Sequence, residues 1–256
     1  MYEQFGTIRD AIYKSGWDLG LEQLLGNYIL RTKAGAKFDK RAHCQALLLS
    51  LLSANRPWIG IEQNLDKLQR IFHDYDPDFL RSAKPSDLSY DVCAIGCGNR
   101  RIAKQMEEIS YNIGILDDIE ERFGDVDVPM QMAMDHPKEV LWVFSDKGSG
   151  YKFKGVAVAL AAQYMKNLGV DLVKPDVHLR RFIQRIGWRG YLPDEYETIS
   201  ICKEIANKYD ITQTEVGTII WQYCATGYIQ ICDANPSCSS CPTFDNCHYG
   251  QNYYSG

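Results

Sequence analysis

FKGVAVALAAQYMKNLGVDLVKPDVHLRRFIQRIGW (residues 153–188) is the stretch on which the reading of the chain turns. Its first half, residues 155–169, is almost wholly apolar and so reads as a helix buried at the centre of a domain. A tight turn holding Lys154, Gly155, Val156 and Ala157 precedes it and follows a helix that ends near Phe144. Such a hairpin exposes backbone N–H groups at the start of its second helix, where the helix dipole also favours an anion such as phosphate. The second half opens with Pro-Asp, a helix start, and the helix carries Arg180, Arg181, Arg185 and Arg189. Taken singly, these are an ordinary helix–helix turn, an N-cap at Asp176 and a solvated arginine face. Taken together, they set a carboxylate beside a basic strip and next to a backbone phosphate clamp. An enzyme that acts on a nucleic-acid backbone or base needs that combination.

Outward from this stretch, helical periodicity continues. Residues 41–55 read as a strongly buried helix, and 61–75, 85–95, 100–116, 137–144, 194–210 and 212–229 as further helices. Alternating β-branched runs are nearly absent, and there is no internal repeat or low-complexity tract. The expected class is all-α, with short loops that suit a compact bundle. The 256 residues, 45% of them hydrophobic, suffice for one large domain or two small ones. A net charge of −5 neither demands nor excludes a polyanionic partner. The N-terminus lacks a signal-peptide core and no apolar run is long enough to span a membrane, so a soluble cytoplasmic protein with no membrane partner is expected.

Near the end, Cys232, Cys238, Cys241 and Cys247 follow the pattern C-x5-C-x2-C-x5-C. In a reducing compartment four clustered thiols are better read as ligands than as disulfides. They suit a [4Fe-4S] cluster or a tetrahedral zinc ion. Cys44, Cys93, Cys97, Cys202 and Cys224 are scattered and read as small buried hydrophobes.

Five motifs, in order, resemble the endonuclease III-like helix-hairpin-helix DNA glycosylases of the HhH-GPD superfamily. They are LLSLLSANRPW (48–58), IGCGNRRIAKQMEEI (95–109), KGVAVALA (154–161), KPDVHLRR (174–181) and the cysteine loop, and they cover roughly residues 40 to 250. The resemblance implies a six-helix barrel over 41–165, an iron-sulfur cluster domain from 1–40 and 166–256, and a substrate cleft between them. It further implies a base-excision repair enzyme, acting as a monomer on double-stranded DNA with a damaged or mismatched base, cytoplasmic or nucleoid-associated in a prokaryote. Asp176 falls on the family's catalytic aspartate. Asn55, with Arg56 sharing the task, falls where a side chain fills the hole left by the flipped base. Arg100 and Arg180 join the hairpin residues as expected DNA contacts, with Cys97 at a second wedge position.

Three departures from the family matter, the first being that its second hairpin glycine falls on Ala157 here. The amine that forms a Schiff base in lyase-competent members falls on Ala159, and alanine has no nucleophile. The expectation is therefore a monofunctional glycosylase in which Asp176 assists a water molecule. The alternatives are a bifunctional glycosylase/lyase using Lys152, and a non-catalytic lesion-binding protein. The first cysteine interval has five residues where the family has six, and it carries an acid and no base.

Overall fold

The computed structural model describes residues 2–253. It is all-helical, with no strand among the described residues. The chain divides into two compact units, Met1–Gly26 with Asp171–Gly256, and Asn27–Val170. The division departs from the expected boundaries at 41 and 165 and falls inside the helix Leu21–Ala34. Side chains from the second half of that helix explain the shift. Asn27 Nδ2 donates to Asn167 O at 2.7 Å, and Arg31 Nε donates to Leu168 O at 2.7 Å.

In the 27–170 unit, the helix Val158–Asn167 packs on Lys40–Leu52 and on Pro137–Ser145. It buries Ala161, Ala162, Tyr164 and Met165, so small residues let the helices approach and one large ring fills the remaining space. Tyr164 meets Phe144 and Phe153 edge-on, with centroids at 5.3 and 5.2 Å. The Lys40–Leu52 helix begins on Asp39, whose side chain accepts from Ala42 N at 2.9 Å. Proline opens the helices Pro77–Ser82, Pro85–Ala94 and Pro137–Ser145, where its missing N–H costs nothing.

A polar network crosses this apolar unit. The fully buried Asp127 takes both terminal nitrogens of Arg31 at 2.8 Å and faces His43 Nε2 at 3.1 Å. His43 Nδ1 pairs with Tyr164 Oη at 2.5 Å. Burial pushes the Asp127 pKa up, but the hydrogen bonds and charges of Arg31 and His43 outweigh it and hold the carboxyl below its ordinary value.

In the other unit, Val177–Ile186, Glu195–Tyr209 and Gln213–Cys224 pack together. The first buries Leu179, Phe182, Ile183 and Ile186, an i, i+3, i+4, i+7 stripe. The last opens with a capping box: Thr212 N donates to Glu215 Oε2 at 2.7 Å and Thr212 Oγ1 accepts from Glu215 N at 3.1 Å. Tyr2 and Phe5, from the N-terminal segment, pack on Trp188 and Tyr209 with centroids at 5.0 and 5.1 Å.

Helix positions match the sequence expectation better than their ends do. The 61–75 segment breaks into Ile59–Glu62 and Leu65–Ile71 at Asn64, which leaves the helical region with φ −125 and ψ 19, and it stops short of 75 where His73, Asp74 and Tyr75 all take positive φ. The helices Glu3–Lys14, Leu21–Ala34, Pro77–Ser82 and Val128–Met132 are further elements that the periodicity did not announce. No helix among the described residues is long and apolar enough to cross a membrane.

Candidate active site and hairpin

Asp176 ends the irregular stretch 170–176 and caps the helix Val177–Ile186. Its Oδ1 accepts from His178 N at 2.9 Å and from Leu179 N at 3.4 Å. Its Oδ2 accepts no hydrogen bond among the described residues. The cap thus uses one carboxylate oxygen and leaves the second available. The stretch leading to it is anchored on the helix Gln213–Cys224. Asp171 accepts from Gln213 N at 3.1 Å and Thr214 N at 2.9 Å. Gly217 lets the stretch lie close, since a Cβ there would stand 3.0 Å from Val173 Cγ1.

The groups around Asp176 are titratable. Lys174, two residues earlier, has its pKa lowered by burial against the pull of Asp176. Burial also lowers the His178 imidazole, opposed first by Asp176 and reinforced by Arg181 and Lys174. Sequence reading passed over Lys174, although its place beside the Pro-Asp start was visible.

The arginines expected to form a basic strip are largely engaged within the unit. Arg180 Nε donates to Pro193 O at 2.7 Å and its Nη1 to Glu195 Oε1 at 3.1 Å. Arg189 Nε donates to Glu197 Oε1 at 2.7 Å. Arg185 donates to the carbonyls of Cys232, Asp233 and Ala234, and so clamps the cysteine loop. The expected DNA contact at Arg180 is therefore a side chain already tying a loop to its helix.

In the 27–170 unit the hairpin residues form a tight turn ahead of the helix Val158–Asn167. Gly155 has φ +74, and a Cβ on it would lie 3.0 Å from Glu108 Oε2 and 3.6 Å from Leu51 Cδ2. The positive φ calls for glycine, and a Cβ would also require the Glu108 carboxylate to shift. Asn112, fully buried, clips the turn by accepting from Lys154 N at 2.7 Å and donating to Lys154 O at 3.1 Å. Val156 is buried, while Lys154 and Ala157 are exposed. The ammonium of Lys154 sits 3.8 Å from the Tyr111 ring centroid. Ala157 takes the N-cap position of Val158–Asn167 without a side-chain cap, so the amides of Val158 and Ala159 have no acceptor among the described residues, whereas Leu160 N bonds Ala157 O at 3.0 Å.

Asn55 is exposed with φ 53, beyond the Lys40–Leu52 helix, in the left-handed region that asparagine tolerates. Arg56 does not share its exposure. Its Nη1 donates to Gly98 O at 3.0 Å and its Nη2 to Gly96 O at 2.6 Å, holding the Gly-rich turn. Arg56 would have to give up both bonds to reach a phosphate. Cys97 points inward, buried, with Sγ 3.4 Å from Gly60 O, so it is no wedge. Arg100 is exposed and makes no ion pair among the described residues.

Cys232, Cys238, Cys241 and Cys247 are free thiols in one neighbourhood. After burial, the charges of the other three push the Cys238 thiol up. Tyr223 Oη donates to Cys241 Sγ at 3.1 Å, and Arg185 Nη1 lies 3.8 Å from Cys232 Sγ. Cys224, set aside on sequence grounds, interacts with Cys232 and is the first cause lowering the Cys232 thiol to about 7, against burial and with help from Arg185. Among the described residues, however, no three His, Cys, Asp or Glu side chains converge closely enough to hold a single metal ion.

No protein-family model matches the chain. No curated protein sequence matches it either. Solved structures do. An 8-oxoguanine glycosylase/lyase of Methanocaldococcus jannaschii, bound to a 15mer DNA containing 8-oxoguanine, is 17% identical and superposes with a TM-score of 0.57 over 86% of this chain and 95% of its own. The 8-oxoguanine DNA glycosylase of Thermotoga maritima is 16% identical, with a TM-score of 0.55 over 86% and 93%. Endonuclease III, trapped as a covalent intermediate with DNA, is 18% identical, with a TM-score of 0.57 over 86% and 88%. The chain has the fold of the helix-hairpin-helix DNA glycosylases.

Proposed function

We propose that the protein is a DNA glycosylase of base excision repair, which hydrolyses the N-glycosidic bond of a flipped, damaged or mismatched base in double-stranded DNA. The observation that carries the reading is the divided use of Asp176, whose Oδ1 caps a helix while Oδ2 accepts nothing among the described residues. A fold shared with enzymes of this class, and the order of the five motifs, support it.

The proposed chemistry follows from the carboxylate. As the bond between C1′ and the base nitrogen breaks, the electron pair leaves with the base and positive charge builds on the sugar. Asp176 stabilises that charge and takes a proton from water as the water oxygen bonds to C1′. The departing base is protonated from solvent. The exposed amides from Ala157 onward would hold a backbone phosphate, and Asn55 would stand in the gap the base leaves.

Lys152 makes a poor lyase nucleophile, because its ammonium is held by two backbone carbonyls, Ser145 O at 2.5 Å and Val156 O at 2.7 Å. A specific observation favours a second reading. Lys174 is an amine two residues before Asp176, and burial lowers its pKa against the pull of that carboxylate. Its attack on C1′ would expel the base and open the sugar to an imine, from which the 3′ phosphate is eliminated.

A panel of duplexes tests both readings, each duplex holding one lesion: 8-oxoguanine, an alkylated purine, an oxidised pyrimidine, or uracil or thymine opposite guanine. Strand cleavage at one lesion after alkali treatment, but not before, is the expected result. Cleavage without alkali, with a borohydride-trapped adduct that Lys174→Ala removes, installs the second reading. Binding to a lesion with no excision anywhere in the panel leaves a non-catalytic lesion-binding protein.

The four clustered cysteines would hold a [4Fe-4S] cluster. The donor set is four free thiols whose charges reach one another, with Arg185 beside Cys232, although no three of them converge on a single metal ion among the described residues. The cluster would supply cross-links between the loop and its helices, and no step of the reaction. Anaerobically purified protein is expected to be brown, with about four iron and four sulfide per chain. A colourless protein with one zinc would reject the cluster and leave the glycosylase reading standing.

A further inference from the structure

Lys152 has no place in the proposed chemistry, yet its ammonium is among the most specifically held groups in the 27–170 unit. It donates to Ser145 O, at the end of the helix Pro137–Ser145, at 2.5 Å. It also donates to Val156 O, inside the hairpin, at 2.7 Å. The residue is half-buried, and burial lowers its pKa against the pull of Asp146. A helix end gathers partial negative charge on its last carbonyls, so a cation there is favoured. The second bond is the informative one. The Val156 carbonyl and the Ala157 N–H belong to a single planar peptide group. Ala157 is exposed, and no backbone or side-chain acceptor takes its N–H among the described residues.

We infer that Lys152 is a positioning residue for the hairpin, a built-in cation that fixes the Val156–Ala157 peptide and polarises it so that its N–H donates more strongly to a DNA phosphate. A positive charge on the carbonyl draws electron density from the nitrogen end, the same polarisation that strengthens hydrogen bonds in a chain. The ammonium and the phosphate then flank one peptide, with the positive end of its dipole toward the anion. The arrangement also offsets a departure in the sequence: the family's second hairpin glycine is Ala157 here, so a residue with a side chain must still present its amide at the right angle. The inference rests on the proposed reading of the hairpin as a phosphate contact.

Equilibrium binding to an undamaged duplex tests it, using the wild type, Lys152→Met and Lys152→Gln, with thermal unfolding of each followed in parallel. The methionine variant keeps length without charge, and glutamine keeps an N–H donor without charge. Both variants are expected to bind about tenfold more weakly than the wild type, the scale of one charge-assisted hydrogen bond. Ethylammonium chloride is expected to restore part of the methionine variant's affinity relative to tetramethylammonium chloride at equal ionic strength, because only the former has N–H groups for the two carbonyls. Unchanged affinity in the glutamine variant, or equal effects of the two salts, overturns the proposal. If the methionine variant fails to fold, the glutamine variant decides. A wild type with no affinity for duplex DNA rejects the hairpin reading itself, a result distinct from these.

Discussion

Asp176→Asn is expected to lower the single-turnover rate of base excision by about a thousandfold or more, within the range set by positioned acid–base groups and charge stabilisation. The same substitution is expected to leave the fold and duplex affinity nearly unchanged. The reason is the double use of this side chain. Its Oδ1 caps the helix Val177–Ile186 by accepting from His178 N and Leu179 N. Asparagine caps about as well as aspartate, so helix stability should move by a few tenths of a kcal/mol, whereas Asp176→Ala loses the cap at about 1 kcal/mol. Asparagine keeps an oxygen for the cap and brings an amide where the uncapped Oδ2 stood. That amide neither takes a proton from water nor balances positive charge on a sugar. Excision, binding and unfolding measured on both variants separate the two roles. An asparagine variant retaining a tenth of the wild-type rate would remove Asp176 from the chemistry. A variant that loses rate and helix stability together would make it a cap and nothing more.

The largest effect on stability is expected at Asp127. Asp127→Asn should destabilise the protein by about 3–5 kcal/mol, read as a lowered urea midpoint with little change in slope. Its carboxylate is fully buried and takes both Arg31 nitrogens at 2.8 Å, with His43 at 3.1 Å. An amide offers one acceptor where two are needed, and it leaves the Arg31 guanidinium, 4% exposed, buried beside a neutral group. The acid limb carries a second signature. The folded pKa of Asp127 lies below its ordinary value, so the stabilisation is complete above the unfolded value of about 3.9 and fades as pH falls through the lower folded value. The wild type should therefore lose this contribution in strong acid, and the variant should lack that loss. A variant within about 1 kcal/mol of the wild type at neutral pH would show that water or rearrangement satisfies Arg31.

Local chemistry was legible in advance. Apolar residues at helical spacing located most helices, and Pro-Asp before a periodic run located the cap at Asp176. A glycine between two apolar runs located the hairpin, where φ +74 and Glu108 Oε2 at 3.0 Å from a Cβ now give the reason for it. Each signal lies within a few residues of the feature it specifies, because caps, turns and helix faces are built from near neighbours.

The fate of the charges was not legible. Arg56, Arg180 and Arg185 resemble phosphate ligands in the sequence, and each spends its guanidinium on backbone carbonyls or an acid of its own unit. Lys152 suggested a nucleophile and is a clamp across the hairpin. Cys224 looked like a core residue, as its burial bears out, and it also lowers the thiol of Cys232, the first cysteine of the loop.

By itself, the sequence determined the helical class, most of the longer helices, the hairpin glycine and the aspartate at its helix start. The tertiary structure decided which cations remain open to solvent, which acids are buried and paired, and which residues hold the hairpin. The physical reason is distance along the chain. A helix or a cap forms from groups a few residues apart, but a flexible, charged side chain goes to the carbonyl or carboxylate that folding brings within reach, as Arg31 does across 96 residues to Asp127.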